Sequence, residues 1–442
     1  MNVAHQERRA RANSTIQKLK EASVHDWYRF VLAYPDHLVS DVINRFGIRR
    51  DQVVLDPFVG TGTTLVECKK QGINSIGMDA NPTSAFASKV KTQWDIDLAE
   101  FDRRRHDLLE YVRDALLSIG TQYPFQLSFD DLLPVEKAVR DKETDDYKDL
   151  KALLPKNWIS PLPLCKVLEI KRAIDQMPGD AITDLFRLAL AAVMVSDASN
   201  LGFGPEVYVK RQREDADVYG AFAEKLRWMR HDLESVQQIP RPGTSTVYCG
   251  DARHLASLVE GPVDFVITSP PYPNEKDYTR TTRLELILLG FIRAKGDLRQ
   301  VKQGMLRSHT RNIYKADNDS ACVANIPEIQ KVAEEIDRRR IERGATSGFE
   351  RLYHRVVTEY FGGMYRVLEQ LQQVTPRGGK LALVLGDQMS YFRVPIRTAR
   401  LLSLVARRML DYTEVETVLW RTRRSTATRM DIKEHILILE RQ

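Results

Sequence analysis

The succession that most constrains this chain runs from Val53 to Asp79. Val53-Val54-Leu55-Asp56 is an apolar run of strand length that stops at Pro57, Gly60 and Gly62 follow, Leu65-Val66-Glu67-Cys68 opens a helix, and Ser75-Ile76-Gly77-Met78-Asp79 is a second strand-like run ending in an acid. Buried strand, glycine turn, helix and second strand make the opening βαβ unit of a doubly wound parallel sheet. The glycines remove side chains where the backbone turns sharply and a ligand comes close. Unpaired N–H groups at the helix start, with the hydroxyls of Thr63 and Thr64, suit a carboxylate. Asp79 lies about 20 residues beyond the turn, where an acid accepts hydrogen bonds from ribose hydroxyls. The third glycine of the dinucleotide fingerprint is missing, so the turn reads as a pocket for a nucleotide-like cofactor of another kind. The competing reading of Asp79 is a helix N-cap.

Strand patterns return at Thr246-Val247-Tyr248-Cys249-Gly250-Asp251 and at Val263 to Thr268. Asp251 ends the first of these, placed to accept from an adenine amino group or, again, to cap a helix. The second leads into Ser269-Pro270-Pro271-Tyr272. Consecutive prolines hold φ near about −65° and donate no hydrogen bonds. The Ser269 hydroxyl and the Pro270 carbonyl then stand as two acceptors for one amine, and Tyr272 offers a flat ring for an unstacked base. An amine held this way turns its lone pair out of conjugation toward an in-line electrophile. This chemistry rests on positioning and requires no nucleophile, metal or covalent intermediate. A target inside a duplex must be flipped out to reach such a clamp. The competing reading is a rigid proline turn with a packed tyrosine.

At 442 residues the chain exceeds one minimal core. Its 43% hydrophobic and 29% charged content is that of a soluble globular protein. No apolar run approaches the roughly 20 residues of a membrane helix, and the start MNVAHQERRARANS lacks the apolar core of a secretory signal. The four cysteines form no C-x-x-C pair, which argues against a zinc site or a disulfide framework and fits a reducing cytoplasm. A net charge of +6 is mildly basic. The charge clusters at Arg103 to Arg105, at Arg338 to Arg340 with Arg343, and at Arg421, Arg423, Arg424 and Arg429. Each cluster suits phosphates or, equally, a solvated helix face.

The texture divides the chain into segments. Residues 1–94 carry N-terminal helices, with an apolar pattern through Trp27, Phe30, Val31, Leu38, Val42 and Ile43, and then the glycine motif. Residues 95–244 are charged, leucine-rich helical patterns, as in Phe101 to Leu117 and Ala181 to Ala198, broken near Pro155 to Pro163 and Gly202 to Pro205. Residues 245–290 hold the proline motif, and 291–350 form a second polar insertion. Residues 351–442 give a long helix to Val374, the strand Lys380 to Leu385, a helix from Ile396 to Leu410, and two strand-like runs suited to an antiparallel edge. The expected architecture is an α/β, doubly wound, Rossmann-like sheet with one large helical insertion and one smaller insertion.

With D-P-F-V-G-T-G-T-T at Asp56 to Thr64 and T-S-P-P-Y at Thr268 to Tyr272, the chain resembles the site-specific DNA amino-methyltransferases acting on cytosine-N4 or adenine-N6. The resemblance covers about half the chain. It implies S-adenosylmethionine as cofactor, held by Asp56, Phe58, Gly60, Gly62, Thr63 and Thr64, with Asp79 at the ribose and Asp251 at the adenine. It implies a catalytic clamp of Ser269, Pro270 and Tyr272, shaped by Pro271. The S-P-P-Y version is associated with cytosine-N4, and D-P-P-Y with adenine-N6. Double-stranded DNA is the implied partner, with a cognate restriction endonuclease or defence-system proteins alongside, in the cytoplasm and on the nucleoid when DNA is bound. Target recognition is expected in the helical insertion, or in 280–350 through Arg307, His309, Thr310, Arg311, Asn312 and Tyr314, or in both. His37, beside Tyr34-Pro35, is expected near the cofactor or simply packed there. Three other readings stand: an adenine-N6 enzyme with the same clamp, an RNA (tRNA) guanine-N2 methyltransferase, against which Ser269 replaces the aspartate, and a non-catalytic DNA-binding subunit, against which both motifs are intact.

Overall fold

The computed structural model describes residues 24–28, 34–118, 153–203, 207–424 and 430–442. Phe30, Val31, the Arg-rich start and Arg429 lie outside the described residues. Seven strands form one sheet: β1 (Val53–Asp56), β2 (Asn74–Asp79), β3 (Ser245–Cys249), β4 (Phe265–Thr268), β5 (Lys380–Gly386), β6 (Tyr412–Arg424) and β7 (Asp431–Arg441). Their order across the sheet is 3-2-1-4-5-7-6. The first five run parallel, while β7 pairs antiparallel with both β5 and β6. The expected βαβ opening and antiparallel edge are both present. Strand order reverses between β1 and β4, and ligands of doubly wound sheets bind in the crevice at that point.

Alternate residues of the central strands face opposite ways. Val54, Ile267, Val384 and Ile438 meet Leu38, Val42 and Ile43 of helix α1 (Asp36–Phe46). Leu55, Val266, Leu383 and Leu437 face the other side, where helices bury Val357, Phe361, Leu368, Leu402 and Val405. A strand covered on both faces reads as a continuous apolar run, which is why these strands were visible in the sequence.

Among the described residues, the chain between β2 and β3 holds five helices and a π-helical turn. Helix α2 (Thr63–Lys70) follows the glycine turn, and α3 (Pro82–Lys91) follows β2, with Asn81 capping it through the Thr83 N–H at 3.1 Å. Then come α4 (Leu98–Ser118), α5 (Pro161–Asp175), α6 (Ala181–Val193), a π-helical turn Met194–Ala198, and α7 (Val218–Val236). A small hairpin pairs Leu201–Phe203 with Val207–Val209. The core of this block is continuous with the sheet unit, since Val66, Ala87 and Val90 pack with Phe101, Ile170, Phe186 and Leu226. The polar segment after β4 contributes α8 (Lys295–Gly304) and α9 (Pro327–Glu342), followed by α10 (Tyr353–Val374) and α11 (Thr398–Met409).

Candidate active site

The C-terminal ends of the parallel strands open on a cavity of about 340 Å³. Phe58, Gly60 and Thr63 line it from the first motif, Asp79 from the end of β2, Asp251 from just beyond β3, and Ser269, Pro270, Pro271 and Tyr272 from the second motif. Two stretches more than two hundred residues apart in the chain thus share one pocket.

The two glycines of the turn have different reasons to be glycine. Both hold left-handed backbone, φ +52° at Gly60 and +88° at Gly62. A Cβ on Gly60 would stand in open space, so only its conformation and ligand access constrain it. A Cβ on Gly62 would come 3.1 Å from the Ser88 Cα, so it allows α3 to approach the turn, where the Ser88 hydroxyl donates to the Gly60 carbonyl at 2.7 Å. Asp79 accepts from the N–H of Gly60 at 3.0 Å and of Asn81 at 2.8 Å. Burial outweighs those bonds and pushes its pKa up to about 7. The helix cap is its neighbour Asn81, so Asp79 is a cavity-lining carboxylate and not the N-cap.

Asp56, Gly62 and Thr64, expected to touch the cofactor, do not line the cavity. Asp56 is 0% exposed. It accepts from the hydroxyls of Tyr34 at 2.8 Å, Thr64 at 2.7 Å and Thr268 at 2.6 Å, and from the Phe58 N–H at 3.1 Å. Burial raises its pKa against the pull of these donors. Its structural role is to tie the end of β1 to the end of β4, and so the glycine turn to the proline clamp. Tyr34, which sequence reasoning did not assign, reaches both Asp56 and the cavity wall, whereas His37 does not line the cavity.

Asp251 lines the cavity with its carboxylate already engaged. Arg253 donates from Nε at 3.0 Å and Nη2 at 2.7 Å, and the Arg253 N–H at 2.9 Å makes Asp251 a cap as well. Arg253 also reaches Asp319 at 2.7 Å. A ligand amine at Asp251 must therefore share it with a guanidinium.

In the clamp, the Ser269 hydroxyl donates to the Val384 carbonyl at 3.3 Å and lies 3.5 Å from the Tyr272 hydroxyl. The Tyr272 ring lies against the end of β5, where a Cβ on Gly386 would come within 2.7 Å of it. Burial raises the Tyr272 pKa, so the phenol is neutral. The loop beyond is stapled to a wall that carries no motif. The Asn274 N–H donates to the Ser308 carbonyl at 3.2 Å, and Glu275, itself at φ +68°, accepts from the N–H and hydroxyl of Thr310 at 2.9 and 2.7 Å. Gly304, Met305, Leu306, Ser308, His309 and Asn312 close that side of the cavity.

The set from Arg307 to Tyr314, expected to suit phosphates and base edges, lies for the most part inside the protein. Arg307, His309, Thr310 and Asn312 are all buried. Arg307 is spent on Asp317 at 2.9 Å and on backbone carbonyls, and burial pushes His309 down to about 4, which leaves it neutral. Only Arg311 of the six is exposed. Two basic clusters are likewise paired along helix faces. Arg103 meets Glu100 and Asp107, Arg104 meets Asp180, Arg338 and Arg339 share Glu335, and Arg340 meets Asp337. The third cluster sits at the cavity, where Arg421 and Arg423 both line the wall.

A family model for N6/N4 methyltransferases, described as a DNA methylase, matches residues 4–88. The Type II methyltransferase M.BsoBI of Geobacillus stearothermophilus is 27% identical over 307 residues, which is 67% of this chain and 58% of that protein. The Type II methyltransferase M.AvaI of Nostoc sp. is 22% identical over 421 residues, 89% of this chain and 80% of that protein. Among solved structures, the crystal structure of TrmN from Thermus thermophilus aligns with 92% of this chain and 49% of its own at a TM-score of 0.28 and 10% identity, too slight a likeness to argue from. The fold is carried instead by the sheet order.

Proposed function

We propose, from the premise that this chain is an amino-methyltransferase of the N4/N6 family, that it methylates the exocyclic amine of a base flipped out of double-stranded DNA, with cytosine-N4 as the target. S-adenosylmethionine is the methyl donor that this family and sheet order imply, and when bound it supplies an activated methyl group. The open face of Gly60, the start of α2 and Asp79 fit a ligand with a carboxylate at one end and a ribose at the other. Ser269 and the Pro270 carbonyl accept from the target amine, hold it in line and favour the positive charge that grows on nitrogen. Tyr272 supplies the ring on which the base lies. The observation that carries this reading is the Asp56–Thr268 bond, which fixes the clamp against the glycine turn.

The choice of cytosine is supported by Ser269 in place of an aspartate, and the same clamp would take the adenine amine. That both relatives are Type II methyltransferases supports a restriction-modification setting with a cognate endonuclease as partner. Among the described residues no helix is long and apolar enough to cross a membrane, and a cytoplasmic place of action is part of the proposal. We assign DNA contact to the helical block 95–244, whose hairpin exposes Tyr208 and Val209 and receives an Arg280 hydrogen bond at the Val207 carbonyl. The test is to incubate the protein with S-adenosylmethionine and mixed-sequence duplex DNA, tRNA in a parallel tube, and to analyse nucleosides by mass spectrometry. N4-methylcytosine in DNA is expected, and Tyr272→Ala should remove it by at least about 100-fold while cofactor affinity stays within a few-fold. Methylguanosine from the tRNA tube alone would overturn the DNA assignment.

A further inference from the structure

The clamp holds one group of the target base and leaves the rest of its ring edge to another part of the cavity. Strand register shows which part. Glu434 of β7 sits opposite Gly386 of β5, the residue whose missing Cβ makes room for the Tyr272 ring. Arg421 of β6 sits opposite Glu434 in turn. Tyr272, Glu434 and Arg421 are therefore neighbours across three adjoining strands, although two of them come from the last strands of the chain.

Glu434 is buried, with 3% of its side chain exposed. Its carboxylate accepts from Arg421 Nε at 2.6 Å and Arg423 Nε at 2.8 Å. The Arg421 guanidinium also lies 4.3 Å from the ring centroid of Trp420. All four residues line the cavity. One edge of the Arg421 fork is thus fixed by a carboxylate and its position by an indole. Among the described residues no protein group takes up its Nη atoms. Its side chain is 18% exposed against 42% for Arg423, which places Arg421 on the inner side of the pair.

We propose that Arg421, aimed by Glu434, reads the ring edge of the flipped base and makes this site select cytosine over adenine. The inference rests on the amino-methyltransferase reading above and sharpens it. With its amine in the Ser269–Pro270 clamp, cytosine presents N3 and then O2, two adjacent acceptors. A guanidinium offers parallel N–H donors that match such a pair. Adenine in the same pose presents N1 and then a C–H, which leaves one donor facing an apolar edge. A site built around a donor discriminates strongly against a partner that leaves it unpaired.

The experiment uses the full chain with Arg421→Gln and Arg421→Lys, duplex DNA, and nucleoside mass spectrometry, with S-adenosylmethionine affinity measured separately by calorimetry. The expected result is N4-methylcytosine from the unaltered protein. Arg421→Gln should lower kcat/KM on cytosine on the order of 100-fold with cofactor affinity unchanged, and Arg421→Lys, which keeps the charge but loses the fork, should fall between. Unchanged cytosine methylation by Arg421→Gln would overturn the assignment. So would a parallel loss of cofactor affinity in both variants, which would make Arg421 a structural residue. N6-methyladenine from the unaltered protein would overturn the base selection while leaving the methyltransferase reading intact. Absence of any methylated base from the unaltered protein, with cofactor bound, would overturn both.

Discussion

Asp56 and Asp79 end neighbouring parallel strands beside the same glycine turn, yet Asp56 is sealed under three hydroxyls and one N–H, while Asp79 meets two N–H groups and opens on the cavity. A carboxylate offers about four lone-pair sites. At Asp56 the protein fills them all, and at Asp79 it leaves half for a ligand. A strand-end acid is therefore defined by its donors rather than by its place in the strand. One kind joins two motifs, and the other keeps acceptor sites open toward the cavity.

The largest effect expected from this contrast is at Asp56. Asp56→Ala leaves the hydroxyls of Tyr34, Thr64 and Thr268 facing an apolar gap, at a cost on the order of 3 kcal/mol of folding stability. Denaturant unfolding measures it. The proline clamp loses its tie to the glycine turn at the same time, so kcat should fall even at saturating cofactor. If the variant unfolds at the same denaturant concentration and loses only cofactor affinity, Asp56 is a ligand residue and the contrast with Asp79 disappears.

Asp79→Ala should do the reverse. Cofactor affinity should weaken on the order of 10-fold or more, as charge-assisted bonds to a ribose are lost. At saturating cofactor the clamp is untouched, so kcat should change by much less. Calorimetry with S-adenosylmethionine, set beside steady-state kinetics on DNA, separates KM from kcat. Equal losses in both would mean that Asp79 holds the turn itself, through the N–H groups of Gly60 and Asn81.

Much of this was legible in the sequence, and for a physical reason. Val53 to Asp56 and Lys380 to Leu385 are buried on both faces, so they read as unbroken apolar runs, and Gly60 with Asp79 has a spacing set by one turn, one helix and one strand. Side-chain pairing over long separations was not legible. Thr268 belongs to a recognisable motif, but its bond to Asp56 spans 212 positions. Arg253 stands two residues after Asp251 and takes its carboxylate, although nothing in an Asp-Ala-Arg triplet says the arginine turns back. The wall from Gly304 to Asn312 carries no periodicity or motif, and its Arg, His and Asn read only as groups suited to phosphates and base edges. Burial is what the sequence did not reveal, since Arg307 gives its Nη groups to Asp317 and to backbone carbonyls inside the protein.

The smallest and most discriminating effect is in pH. Burial holds the Asp79 pKa at about 7, whereas Asp56, with every acceptor site filled, has no ligand to lose by titrating. Only the ionised form of Asp79 offers its full acceptor set to two hydroxyls. As pH falls through 7 the carboxyl takes up a proton and becomes partly a donor, so cofactor affinity should fall toward acid and level off above about pH 8. Between pH 7.5 and 6.5 the expected loss is about threefold, the ratio of ionised fractions for a pKa near 7. In Asp79→Asn the same titration should be flat, because an amide does not ionise in this range. Tyr34→Phe removes one donor from Asp56 and leaves Asp79 alone, so its pH dependence should match that of the unaltered protein. A profile that shifts in Tyr34→Phe but persists in Asp79→Asn would assign the titrating group to Asp56, and with it the cofactor contact.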